Sequence, residues 1–306
     1  MMRSSLLLLA AVAAFPAGAQ TVRVAPPPPP TPAVAPAPAV AARAGQEDPW
    51  CRERGATRQT NRAEVCEVRE YTLPAREEVE VDAGLNGGIK VTGYDGRSIR
   101  LRARVVAQAA TAARATQLMR NVRIETEDTI EPENALPTER NASISVSFEL
   151  MVPRRTNLSL TTLNGGISIT NVTGDIAFEA TNGGISLNGL GGDVEGETVN
   201  GGVSVDLAGS RWTGAGLEVS TVNGSIRLAM PAEYSAELEA STMHGRLDIN
   251  LPGSGVASGS QRTISYGRSH SGAAAPRYQE VKMRLGRGGA PIELTTVNGA
   301  VSIIRK

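Results

Sequence analysis

The sequence predicts an all-β fold, a single-chain β-solenoid of stacked 18-residue coils. Three observations predict it. Asn-Gly pairs recur along the chain, at Asn86, Asn164, Asn182, Asn200, Asn223 and Asn298, and the middle three follow at intervals of 18 residues. Each pair is followed by alternating apolar and polar residues. Each 18-residue unit also divides into two nine-residue halves, and each half reads as a turn and a strand.

The alternation is specific. Three residues after the turn Asn stand Ile89, Ile167, Ile185, Val203, Ile226 and Val301. Five residues after it stand Val91, Ile169, Leu187, Val205, Leu228 and Ile303. Polar Lys90, Ser168, Ser186, Ser204, Arg227 and Ser302 lie between them. A seventh copy carries His244-Gly245 at the turn, then Leu247, Asp248 and Ile249. Period two sends successive side chains to opposite faces, so each copy reads as a half-buried strand. β-Branched residues dominate the inward positions, which suits a packed pleated surface. Asn-Gly is expected to supply positive φ for a tight turn before the strand. The half-unit signal is Thr173-Gly174-Asp175-Ile176 after Asn164, and Gly191-Gly192-Asp193-Val194 after Asn182. One unit buries too little apolar area to fold alone, and stacked units share one interior.

The N-terminus reads differently. Residues 1–19 look like a signal peptide: Arg3, an apolar run from Leu6 to Phe15, then Ala17-Gly18-Ala19 as a cleavage site. After cleavage no transmembrane segment is expected, since no later run approaches ~20 apolar residues. Residues 20–49 form a Pro/Ala-rich linker with five consecutive prolines at 26–30, suited to extended polyproline II. Residues 50–306 are the β-repeat domain. Its core repeats span 160–251 and 290–306, and a Gly/Ser/Ala-rich stretch, 252–277, reads as a mobile loop. Ahead of the repeats, residues 78–81, 99–105, 122–126 and 144–152 alternate as strands. Ala107 to Arg120 is the one expected helix. That helix and the segment 51–66 are expected to cover the open end of the stack, where bare strand edges invite aggregation. Cys51 and Cys66 are the only cysteines. In an exported chain they read as one structural disulfide, which for a loop of this length contributes ~3 kcal/mol.

Little in the chain suggests reaction chemistry. Formal net charge is zero, and lysine occurs only at 90, 282 and 306. The basic residues are spread along the chain, which argues against a nucleic-acid groove. His244 and His270 have no partners at ligand spacing, so no catalytic residue, cofactor or metal ion is expected. No nucleophile elbow, phosphate loop or zinc-protease motif occurs. Asp175 and Asp193 are expected to stack 18 residues apart as turn-forming residues. Arg211, a further 18 on, is expected to neutralise its neighbour. Ser168, Ser186 and Ser204 should form a flat outward polar stripe, either solvated or open to glycan or protein. The few aromatics count against a conventional sugar site.

Four segments carry a family likeness: Thr162-Leu163-Asn164-Gly165-Gly166, Thr198-Val199-Asn200-Gly201-Gly202, Thr221-Val222-Asn223-Gly224-Ser225 and Thr296-Val297-Asn298-Gly299. With Glu70-Tyr71-Thr72-Leu73-Pro74 they resemble, over residues 70–306, a bacterial family of exported β-repeat proteins. Its domain is called a putative adhesin and was formerly a domain of unknown function. The resemblance implies surface or extracellular interaction and transfers no catalytic residues. His244 at the turn position departs from the motif. The expectation is a non-enzymatic exported interaction protein, periplasmic, cell-surface or extracellular. Its partner would be a protein or glycan of the cell envelope, not nucleic acid. Two alternatives stay open. One is an accessory protein that senses or regulates envelope stress. The other is a polysaccharide-acting enzyme, since parallel β-helices also host lyases and hydrolases, and it needs an acidic or Arg-rich groove on an outer face.

Overall fold

The structure is a computed structural model in which residues 48–52, 62–137, 141–251 and 278–306 are described. The expected signal peptide, most of the linker and the expected 252–277 loop lie outside the described residues, as does His270.

In chain order the elements are α1 (Pro49–Arg52), β1 (Ala63–Pro74), β2 (Glu78–Asp82), β3 (Ile89–Tyr94), β4 (Ser98–Ala109), α2 (Ala112–Asn121), β5 (Arg123–Glu125), β6 (Thr129–Glu133) and β7 (Ser143–Pro153). There follow β8 (Asn157–Asn164), β9 (Ile167–Thr170), β10 (Thr173–Asn182), β11 (Ile185–Asn188), β12 (Gly191–Asn200), β13 (Val203–Asp206), β14 (Gly216–Asn223) and β15 (Ile226–Met230). The last are β16 (Ala236–Thr242), β17 (Leu247–Asn250), β18 (Gln279–Leu285), β19 (Pro291–Asn298) and β20 (Val301–Arg305). The fold is all-β, in two mixed ten-stranded sheets. The first runs β1-β4-β7-β3-β9-β11-β13-β15-β20-β17, and the second β18-β16-β19-β14-β12-β10-β8-β2-β6-β5.

The repeat sets the register of both sheets. Ile167, Ile185, Val203, Ile226 and Val301 are successive parallel partners in the first sheet. All five are at most 2% exposed, and they belong to one apolar cluster fed by both sheets. Facing them in the second sheet, Leu160, Phe178, Gly196, Val219 and Leu294 are in register. Gly196 takes an inward position because the Phe178 ring fills its space: a Cβ there would lie 2.3 Å from the ring.

The corner between the sheets explains the T-x-N-G motif, and corrects one expectation. None of Asn164, Asn182, Asn200, Gly165, Gly183 or Gly201 has positive φ. The glycine is required by close approach. A Cβ on Gly165 would sit 1.9 Å from the carbonyl oxygen of Gly87, and one on Gly183 1.9 Å from that of Gly165. The Asn side chains form a ladder. The Nδ2 of Asn182 donates to Oδ1 of Asn164, Asn200 to Asn182, Asn223 to Asn200 and Asn298 to Asn223, each at 2.9 Å. At its start Asn164 Nδ2 donates to Leu85 O at 2.7 Å and reaches Asn86 Oδ1 at 3.4 Å. Beneath the ladder, the buried hydroxyls of Thr162, Thr198, Thr221 and Thr296 donate to the glycine carbonyls of the preceding coil.

The stack departs from chain order at one end. β19 lies between β14 and β16, and β20 between β15 and β17. The coil bearing Asn298 is therefore inserted between the coils bearing Asn223 and His244. A second difference is Arg211. The register partner of Asp193 is Gly216, because the step from Asn200 to Asn223 is longer than 18 residues. Arg211 lies in that extra loop and bridges to Ser235. Beside it, buried Trp212 donates from Nε1 to Gly192 O at 2.9 Å.

At the other end β1, β4 and β7 are antiparallel. The expected helix over 107–120 begins only at Ala112. Ala107 belongs to β4, paired with Val65 on one side and Ile144 on the other. Strand pairing on both edges overrides an alanine-rich stretch's weak helical preference. The shortened helix buries Ala115, Leu118 and Met119 against β4 and β1. Thr111 caps its start, accepting from Arg114 N at 3.3 Å. Arg69 donates to the carbonyls of Met119 and Val122 at its end, at 3.0 and 2.6 Å, satisfying orphan acceptors of the last turn.

Candidate functional site

The two outer faces differ in charge. On the first sheet, charges are paired across strands. Glu149 accepts from Lys90 and Arg102, both at 2.8 Å, and Arg102 also reaches Asp48 at 2.8 Å and Glu70 at 3.3 Å. The Trp50 ring stacks against Arg102 and Arg104, at 5.4 and 4.8 Å from the ring centre. Cys51 is bonded to Cys66, which ties this short segment to β1. Partial burial opposes the charge on Glu149, but Lys90 and Arg102 outweigh it and hold the carboxyl below its ordinary range. The same balance holds for Asp48, lowered by the Trp50 N–H and Arg102 against burial. Further along this face Ser168, Ser186 and Ser204 stand in register as an outward polar row.

The second sheet is different. Its eight neighbouring strands β16, β19, β14, β12, β10, β8, β2 and β6 carry fourteen Asp and Glu residues and no Lys, Arg or His. None of the fourteen is buried. Glu195, Glu218, Glu293 and Glu239 are consecutive register partners, roughly 4.8 Å apart at strand spacing. Like charges directly opposite one another destabilise a sheet. Among the described residues basic partners appear only at the β18 edge, where Lys282 meets Glu239 at 2.7 Å and Glu280 at 3.2 Å and Arg284 meets Glu237 at 3.4 Å. A shallow groove of ≈ 420 Å³ runs over this face past Glu179, Glu195, Glu197 and Glu218.

An apolar margin borders the acidic face, one residue before five of the seven turn Asn or His residues; Thr181 and the half-buried Val297 stand at the other two. Leu85, Leu163, Val199, Val222 and Met243 are each more than a third exposed. At the β2 end this margin opens into a deeper groove of ≈ 670 Å³, where Leu136 is 71% exposed.

The residues expected from sequence fall into place unevenly. Asn86, Asn164, Asn182, Asn200, Asn223 and Asn298 form the corner ladder described above, and Asn86 also lines the groove at the β2 end. Asp175 and Asp193 are register partners, as the 18-residue spacing predicts, but neither is in a turn. They lie within β10 and β12 on the acidic face, and Asp175 N donates to Asn157 Oδ1 at 2.9 Å. His244 is exposed, and its backbone N donates to Val297 O at 2.8 Å. Among the described residues no group of three or more His, Cys, Asp or Glu could hold a metal ion. No described helix is long and apolar enough to cross a membrane. The acidic face itself is absent from the sequence-based expectations. The signal was there: five residues before the turn stand Ser159, Ala177, Glu195, Glu218, Glu239 and Glu293. Alignment forward from the turn finds the core, and only alignment backward finds the carboxylates.

No protein-family model matches this sequence. No curated protein matches it. Solved structures with a distant likeness include a putative cell adhesion protein from Clostridium sporogenes, 11% identical, with a TM-score of 0.38, covering 78% of this chain and 100% of that one. A putative adhesin from Bacteroides fragilis is 12% identical, with a TM-score of 0.34, covering 78% and 97%. A putative lipid binding protein from Parabacteroides distasonis is 12% identical, with a TM-score of 0.23, covering 79% and 96%. At these scores no function is carried over from them.

Proposed function

We propose that this chain is a non-enzymatic exported interaction protein, an adhesin-type β-solenoid that offers the outer face of its second sheet to a partner. The observation that carries the reading is the acidic face, neutralised only at its β18 edge among the described residues, with its exposed apolar margin. Of the fourteen carboxylates only Glu237 and Glu239, at the β18 edge, meet a base within the described residues, and like charges in register weaken the sheet. A surface that gives up stability in this way is best explained by what it meets. The solenoid reading is supported by the in-register parallel coils and the Asn ladder at their corner. Export is supported by the signal-like residues 1–19 and by the disulfide. The T-V-N-G resemblance supports an adhesin-type role in the cell envelope or outside the cell, and the names of two distant structures accord with it.

The test is direct. The chain from Gln20 onward is incubated with envelope fractions and whole cells, alongside a Glu195→Lys/Glu218→Lys/Glu293→Lys variant. Saturable, salt-sensitive binding that the triple variant loses is expected. Binding identical in the two proteins, or none in either, rejects the reading. Retrieval of one specific envelope protein without general adhesion would turn it toward the envelope-stress accessory role.

One observation favours a second reading. The groove over Glu179, Glu195, Glu197 and Glu218 is the acidic groove that a polysaccharide-acting enzyme would need. Glycosidase chemistry, however, needs one carboxylic acid kept protonated by an apolar site. All four carboxylates here stand exposed on an open face, which offers no such apolar site. Release of reducing ends from an envelope polysaccharide, abolished by Glu195→Gln, would establish the enzyme instead.

A further inference from the structure

We propose that the 670 Å³ groove docks an apolar side chain of a basic polypeptide, whose following residues run along the acidic face. This rests on the interaction reading above and names the chemistry of the partner.

The groove is built between two walls. One is the turn after β2, locked to β8 by Ala83 N donating to Thr161 O at 3.0 Å and Leu163 N donating to Gly84 O at 3.1 Å. The other follows β6, where Asn134 takes a φ of 55°. Buried Ile144 and Val146 form the floor. Leu85, Leu136 and Leu163 stand in the same hollow with 45%, 71% and 39% of their surface exposed. Concave apolar space of this size, with a few polar groups at its rim, suits insertion of one side chain or small group. A guest there covers leucine surface that the fold leaves in water.

The rim selects the guest. Among the described residues its charged groups are the carboxylates of Asp82 and Glu131. Asp82 spends part of its capacity accepting from Gly84 N at 2.7 Å. Among the described residues no basic side chain lines this groove, while Arg114, Arg120 and Arg123 line a neighbouring recess beyond Leu136. A positively charged chain is therefore repelled on that side and drawn the other way. In that direction Asp82 is in register with Thr161, then Glu179, then Glu197. At ~4.8 Å per strand, Glu179 and Glu197 lie about 10 and 14 Å from Asp82. An extended peptide advances ~3.3 Å per residue. Basic residues two and four positions after the apolar anchor share its face, advance about 7 and 13 Å, and reach both carboxylates. An anionic guest meets repulsion along the same path.

The experiment uses the chain from Gln20 onward and a labelled ten-residue peptide. The peptide has a Gly/Ser background, one leucine, and arginines two and four positions after it. Fluorescence anisotropy at low salt is expected to show saturable binding. Leu136→Ser, Leu163→Ser, Glu179→Lys and serine in place of the peptide's leucine should each weaken it about tenfold. The substituted leucines are exposed, and circular dichroism verifies the fold of each variant. No saturable binding, or binding indifferent to both leucine variants, overturns the inference. Binding to envelope fractions is read separately. Fraction binding without peptide binding defeats this inference alone, whereas peptide binding without fraction binding defeats the proposed function.

Discussion

Gly183 and Gly184 are adjacent, yet the stacked corner treats them differently, and substituting each by alanine measures how tightly the coils are held. A Cβ on Gly183 would lie 1.9 Å from Gly165 O and 2.4 Å from its carbonyl carbon. Real Cβ atoms do not approach closer than 3.0 Å, so the two coils must part by about 1 Å at this point. That movement strains the two bonds that join these coils here, Gly165 N donating to Asn182 O at 3.0 Å and Ile167 N donating to Gly184 O at 3.1 Å. Two lost backbone bonds are worth ~2 kcal/mol net, and overpacking adds ~1–3 kcal/mol. Gly183→Ala should therefore destabilise by about 3–5 kcal/mol. A Cβ on Gly184 meets only Gly202 O, at 3.5 Å, an ordinary contact. Gly184→Ala should change stability by less than ~1 kcal/mol. Urea unfolding followed by circular dichroism compares the two variants with the parent. If both shift the midpoint equally, the glycine is not there for close approach and the corner argument fails.

Two more predictions come from the same geometry. Asn182→Ala removes one donor and one acceptor from the middle of the ladder. These bonds are exposed, so the expected loss is about 1 kcal/mol. A thermal midpoint unchanged by the substitution would show the ladder to be inert. The second prediction concerns acid. Asp48 and Glu149 both have folded-state pKa values below their ordinary ones. Their contribution is then complete above the ordinary carboxylate range and is lost as pH falls below about 4, through the lowered values. Thermal midpoints from pH 7 to pH 3 should fall less steeply in Glu149→Gln than in the parent, since glutamine does not titrate. Parallel pH profiles would refute the role of this ion cluster.

Much of the interior was legible because its signal is local and repeated. Ile167, Ile185 and Val203 share an offset from the turn Asn, and in-register parallel pairing converts equal offsets into stacked neighbours. Ala107 misled because strand pairing with Val65 and Ile144 is a tertiary fact that helical preference does not contain. Arg211 misled because five inserted residues break the 18-residue arithmetic between Asn200 and Asn223. The Asn-Gly pairs do not take the positive φ that their sequence suggests. Their glycines answer to a carbonyl in the next coil, which no local turn rule describes. The acidic face was readable from Glu195, Glu218, Glu239 and Glu293 at one shared offset. The groove was not, because Leu85, Leu136 and Leu163 come together only through the closure of three separate segments. The place of the last coil was equally hidden, since β19 and β20 find their neighbours by long-range pairing.

That placement is the most exacting consequence of the stacking account. Spin labels on the outward positions Ser168 and Ser302, and separately on Ser168 and Asp248, measure it with the native disulfide intact. Ser302 on β20 stands four strands from Ser168, and Asp248 on β17 stands five. At ~4.8 Å per strand, the backbone separations are about 19 Å for the pair 168–302 and about 24 Å for the pair 168–248. The account predicts that residue 302 is the nearer, although it comes later in the chain. The reverse order, or two separations unrelated to strand spacing, would contradict it.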